Sequence, residues 1–106
     1  MKVMKVFLSH KMSGLSPMYV NAIRFQAKLT LEYVYEQKGI KLEFIDNYNH
    51  DDAPPNAGRL WHLGRSIQQL QDADAMFFCG EWWKAKGCWV ERFIALVYKI
   101  KILKIK

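Results

Sequence analysis

The chain is expected to fold as a three-layer α/β sandwich around a four-stranded, mainly parallel sheet, and three observations point there. Short apolar runs recur four times, at Val3–Leu8, Lys41–Asp46, Ala75–Cys79 and Ile100–Ile105. Three segments with helical apolar spacing separate them. A length of 106 residues, 51% hydrophobic and 14% aromatic, supports one packed domain over residues 1–106 and excludes a disordered chain. Strands alternating with helices imply right-handed parallel crossovers that lay helices on both faces of the sheet. Ligands in such folds gather beyond the carboxyl ends of the strands. Function is therefore sought in Ser9–Gly14, Asn47–Asp52 and Gly80–Gly87.

The elements follow in order. VMKVFL reads as a buried first strand, bounded by the polar, glycine-containing segment Ser9–Gly14. Ser16 offers an N-cap with Pro17 at the first helical position, and Gly39 stops the helix after Lys38. Between them Val20, Ile23, Ala27, Leu31 and Val34 form one apolar row, and Ala22, Phe25, Leu29 and Tyr33 a second. More than one stripe of this helix should be covered. KLEFID alternates and then reaches the polar loop Asn47–His50, as a second strand would. DDAPPNAG cannot continue a regular element through its paired prolines. From Arg59, Leu60, Leu63, Ile67 and Leu70 recur at helical spacing, which predicts one buried face. AMFFC is the third strand, Cys88 to about Tyr98 an apolar helix, and Ile100–Ile105 the fourth strand.

The net charge is +6, yet Lys99, Lys101, Lys104 and Lys106 lie in the last eight residues. The rest of the chain carries twelve cations against ten anions. A lysine-rich end reads as a charged edge strand, so nucleic acid is not the expected partner. The opening MKVMKVFLSH is too interrupted by lysine for a leader, and no stretch approaches the roughly 20 apolar residues of a membrane span. A cytoplasmic protein with no membrane partner is expected. Cys79 and Cys88, nine apart, make neither a zinc pattern nor a disulfide framework. They are read as reduced structural thiols, and neither metal nor cofactor is expected.

The sharpest local pattern is Lys86-Gly87-Cys88-Trp89-Val90-Glu91. With Gly87 turning the loop into the last helix, Glu91 would sit in its first turn, where the helix dipole favours the ionised carboxylate. Such a carboxylate suits attack on a sugar anomeric carbon or stabilisation of its oxocarbenium character. The plainer reading is a helix-start glutamate paired with Arg92 or a lysine. Ser9–Gly14 can offer backbone N–H groups, hydroxyls and Lys11 to a phosphate, or be an ordinary polar loop. His10 is either a general acid or a surface histidine. Asp72 and Asp74 enter the third strand, where one could hold a ribose hydroxyl or simply face water. The four tryptophans either stack on a base or fill the core, and at least two are expected to be packing.

Taken together, the loop SHKMSG after strand one, the segment Arg65–Asp74 leading into AMFFC, and GCWVE resemble the nucleoside 2-deoxyribosyltransferase-like superfamily. The likeness runs over about residues 3–105 and is nearest to small bacterial and phage members, in which a loop like S-G-P-M-T-G follows strand one. It implies a flavodoxin-like or Rossmann-like sandwich, often dimeric, that cleaves or exchanges the N-glycosidic bond of a deoxynucleoside or its 5′-phosphate. Glu91 falls on the family's nucleophile. Ser9, Met12 and Gly14 match the loop beside the sugar or phosphate, and Asp74 matches the acidic residue that opens strand three. His10, Asn47 and Gly87, at the same strand ends, complete the expected substrate contacts. The expected partners are a nucleoside or nucleotide and a second copy of the chain.

There are departures. Ser66 stands where nucleotide-hydrolysing relatives carry a ribose-orienting aspartate, Ala85 where a serine usually precedes the glycine of the last loop, and His10-Lys11 where glycine and proline are usual. These motivate a second reading, a non-catalytic, phage-encoded protein that senses or sequesters a nucleotide.

Overall fold

A strand that is apolar on both faces belongs in the middle of a parallel sheet. In β1 (Lys2–Ser9), Val6, Phe7 and Leu8 are all fully buried. The computed structural model describes residues 2–10, 14–45 and 53–104. In it β1 pairs in parallel with β2 (Ile40–Ile45) on one side and β3 (Ala75–Phe78) on the other. β4 (Lys101–Ile102) adds to β3, giving an all-parallel sheet of order β2-β1-β3-β4. This is the start of the flavodoxin-type order, and the chain reverses direction across the sheet between β1 and β3. β4 is shorter than expected. Its two residues pair with Ala75 and Met76, and the Leu103 N–H still donates to the Met76 carbonyl at 2.8 Å beyond them.

Helices cover both faces. α1 (Pro17–Glu36) starts where expected: the Ser16 hydroxyl accepts from the Tyr19 N–H at 3.2 Å, and proline occupies the first turn. It ends just before Gly39, whose φ of +74° is a left-handed conformation that favours glycine. Leu31 and Tyr35, with Ile23, Ala27 and Val34, pack on Met4, Val6 and Leu8 of β1. The second apolar row behaves differently from expectation, since Phe25, Leu29 and Tyr33 are more than half exposed. A helix lying on one sheet buries one stripe only.

On the opposite face Phe7 and Met76 meet Leu70 of α2 (Arg59–Leu70) and Ala95 of α3 (Lys86–Val97). Leu60 was expected on the buried face of α2 but is 83% exposed. It lies ten residues before Leu70, about 15 Å along the helix. The first turn of α2 contributes no residue to the core cluster on this face. Among the described residues no helix is long and apolar enough to cross a membrane.

Candidate active site

Successive residues of a strand face opposite sides, so the end of β1 delivers two side chains to two different places. Ser9 points with Phe7 toward α3, and its hydroxyl donates to Glu91 Oε1 at 2.8 Å in a buried contact. His10 points with Leu8 toward α1 and is 6% exposed. The ladder runs on past β3, since the Cys79 N–H donates to the Ser9 carbonyl at 2.8 Å. The strand then turns at Gly80, whose φ of +55° requires a residue tolerant of the left-handed region.

Glu91 is 7% exposed. Burial pushes its carboxyl up from 4.5 to about 7, and the Ser9 hydroxyl, which favours the anion, holds it from rising further. The expectation of a first-turn, dipole-stabilised carboxylate is corrected. α3 begins at Lys86, two residues earlier than the sequence suggested, so Glu91 falls in the second turn. The dipole's influence fades within the first turn, and desolvation wins. Gly87 is corrected with it. It lies inside the helix rather than at a tight junction, and a Cβ there would meet only Leu63 Cδ1 at 3.6 Å, an ordinary contact with α2.

A thiol lies near each half of the site. Cys88, on α3, is pushed by burial to about 11 despite a hydrogen bond with Ser9, and Cys79 is pushed to about 12, again by burial. Both cysteines are free, and both stay protonated at neutral pH. That leaves Glu91 as the buried group here that titrates near 7.

On the α1 side a small pocket of about 190 Å³ opens between the two strand ends. Its walls include His10, Tyr19, Ile23, Cys79, Gly80 and Lys84, and Lys84 pairs with Glu81 at the rim. Burial, assisted by the nearby Arg24 guanidinium, drops His10 to about 4, so its imidazole is neutral at pH 7. The expectation of a surface histidine is thereby replaced by a buried, uncharged donor and acceptor. Arg24 itself is 5% exposed. The sequence reading passed over it, although residues 20, 24, 27 and 31 share one helical stripe and a cation among Val20, Ala27 and Leu31 was the available signal.

The remaining expected residues are dispersed. Gly14, with φ +79°, turns the chain toward α1 and is exposed. Met12 and Asn47 lie outside the described residues. Asp74 does not join the cluster. It accepts from the Lys5 N–H at 2.9 Å while its own N–H donates to the Lys5 carbonyl at 2.8 Å, at the amino end of β3. Four strand residues, about 13 Å, separate that point from Ser9. Its chemistry is that of a strand-end cap, and Asp74→Ala is expected to lower stability by about 1 kcal/mol in a urea titration. Ser66 is buried on α2.

The aromatic residues around the 3-10 turn at Trp82–Lys84 divide. Trp82 stacks at a tilt on Phe78 and Trp89, with ring centroids 4.7 and 4.9 Å apart, and Arg92 lies over it. Trp83 and Trp89 are half exposed, and the Trp89 indole N–H donates to the Trp83 carbonyl at 2.8 Å. Among the described residues no three His, Cys, Asp or Glu side chains converge in a way that would hold a metal. No family model, curated protein or solved structure matches the chain.

Proposed function

We propose that the chain is a nucleoside 2-deoxyribosyltransferase-like enzyme that cleaves or exchanges the N-glycosidic bond of a deoxynucleoside or deoxynucleotide. The observation that carries this reading is the buried Ser9–Glu91 hydrogen bond at the carboxyl end of the central strand, with the carboxyl poised near neutrality. In this mechanism Ser9 fixes one carboxylate oxygen, and Oε2 attacks the sugar C1′. The C1′–N bond breaks, and the base leaves with the electron pair and takes a proton from solvent. A covalent sugar ester on Glu91 remains, which water hydrolyses or a second base captures. Exposed Trp83 offers an aromatic face for a base.

The test is to incubate the chain with 2′-deoxynucleosides and their 5′-monophosphates and to separate free base by chromatography. Base release supports the enzyme. The second reading, a protein that binds a nucleotide without cleaving it, is favoured by one feature: buried Ser66 offers no carboxylate to orient the ribose. Calorimetric binding with no base released over long incubation would select it.

A second copy of the chain is the proposed partner, through α3. Trp89, Phe93, Leu96 and Val97 recur at helical spacing and are each half or more exposed. Such a contiguous stripe exceeds the scattered apolar side chains normal for a monomer surface. The stripe lies on the face of α3 away from buried Cys88, Glu91 and Ala95, so the second copy would cover the outside of the helix. Phe93→Glu is expected to convert a dimer to a monomer in light scattering, and a monomeric unaltered chain would refute the contact.

A further inference from the structure

We propose that Cys88 is a positioning residue for the reacting carboxylate: its thiol donates to the Ser9 oxygen, commits the single Ser9 proton to Glu91 Oε1, and leaves Oε2 as the oxygen that attacks. The inference rests on the reading of Glu91 as the nucleophile and deepens it by giving a buried thiol a part in the site.

Three observations carry it. First, Cys88 and Glu91 lie three residues apart on α3, so both side chains leave the same face of the helix. Cys88, Glu91 and Ser9 are all buried, and bulk water does not complete their hydrogen bonds. Second, the Ser9 hydroxyl meets both partners. It donates to Glu91 Oε1 at 2.8 Å and is hydrogen-bonded to Cys88 as well. A hydroxyl carries one proton and two lone pairs, so it cannot donate to both at once. Third, the chemistry of the two partners decides which of them receives that proton. A carboxylate is a far stronger acceptor than a thiol sulfur. Burial holds the Cys88 thiol at about 11, so at neutral pH its S–H is present as the donor that the Ser9 oxygen accepts. The order is therefore Cys88 S–H to Ser9 Oγ, and Ser9 O–H to Glu91 Oε1. Each bond in such a chain polarises the next, so the thiol strengthens the bond that favours the ionised carboxylate. Burial and the Ser9 hydroxyl are the influences that move Glu91, and Cys88 is the titratable group beside it on α3. Buried and protonated, this thiol is not itself a nucleophile.

The titration of Glu91, followed by carboxyl-carbon NMR on the full chain without substrate, reads this relay separately from the chemistry. Cys88→Ala is expected to raise the midpoint by about 0.5 pH unit. Cys88→Ser, which keeps a donor of nearly the same size, should bring it back to the value of the unaltered chain or below. In a Ser9→Ala background Cys88→Ala should add nothing, because the thiol acts through the hydroxyl. With a 2′-deoxynucleoside as substrate, the rising limb of kcat/KM should move with the NMR midpoint. A thiol that only fills space would leave that midpoint where it is in both Cys88 variants. If Cys88→Ala does not fold by circular dichroism, the infrared S–H stretch decides. Assigned to Cys88 by its loss in Cys88→Ser, it should move to higher frequency in Ser9→Ala as the hydrogen bond is removed. An unmoved midpoint, a shift that persists in the Ser9→Ala background, or an S–H stretch indifferent to Ser9 overturns the inference while leaving base release untouched. A relay seen by NMR in a chain that releases no base upholds the positioning of Glu91 and sinks the glycosidic reading instead.

Discussion

Glu91→Gln is expected to reduce base release by at least about a thousandfold with the fold unchanged, because an amide cannot form the sugar ester. Activity unaffected by this substitution would remove the carboxylate from the mechanism. The unaltered chain adds a second signature. Its nucleophile must be ionised, and the carboxyl titrates at about 7, so kcat/KM should rise with pH through about 7 and level off above it. Ser9→Ala removes the hydroxyl that favours the anion, and that rise should move to higher pH.

Stability runs the other way. The folded state raises this carboxyl from 4.5 to about 7, so it favours the protonated form. The contribution is full below about 4.5 and is lost as pH rises through 7, a change of about 3 kcal/mol. Thermal melts of the unaltered chain should therefore weaken between pH 5 and pH 8 by an amount that Glu91→Gln abolishes. Parallel slopes for the two proteins would mean that the carboxyl is not buried as described.

Phe7→Ala carries the largest expected cost in stability. Its ring is fully buried between the sheet and the two helices of the α3 side, in one cluster with Leu70, Met76 and Ala95. Removing it takes away the transfer energy of the ring and leaves a cavity that α2 and α3 cannot close without leaving the sheet. About 3–5 kcal/mol is expected, a large part of the roughly 5–15 kcal/mol that keeps a domain folded. Leu60→Ala, in the first turn of α2 where the side chain is exposed, should cost close to nothing. A urea midpoint for Phe7→Ala no lower than for Leu60→Ala would contradict the assignment of the core.

The two expectations of the helical pattern that failed share a cause. Leu60 and the row Phe25, Leu29 and Tyr33 are apolar at the right spacing, yet spacing records only which side chains share a face. Whether another element lies over that face is decided by where the sheet ends and by how many helices pack beside it. Glu91 failed by a smaller margin. No breaker separates Ala85 from Cys88 except Gly87, which the helix tolerates, so the start of α3 moved two residues and carried the carboxylate out of the dipole's reach. Arg24 was hidden for the converse reason, being a charge placed where the pattern expects an aliphatic residue.

The amino-acid sequence by itself determined the order of strands and helices, the Ser16-Pro17 start and the Gly39 stop of α1, and the candidacy of Glu91. Each depends on local chemistry: side-chain period, capping hydroxyls and the backbone freedom of glycine. Only the tertiary structure decided that Asp74 caps the wrong end of the sheet for chemistry, and that His10 is buried beside Arg24. It alone brought Ser9 to Glu91 across 82 residues of chain. Strand register and crossover direction set those distances, and burial, which no single residue carries, sets the charge each group holds once it arrives.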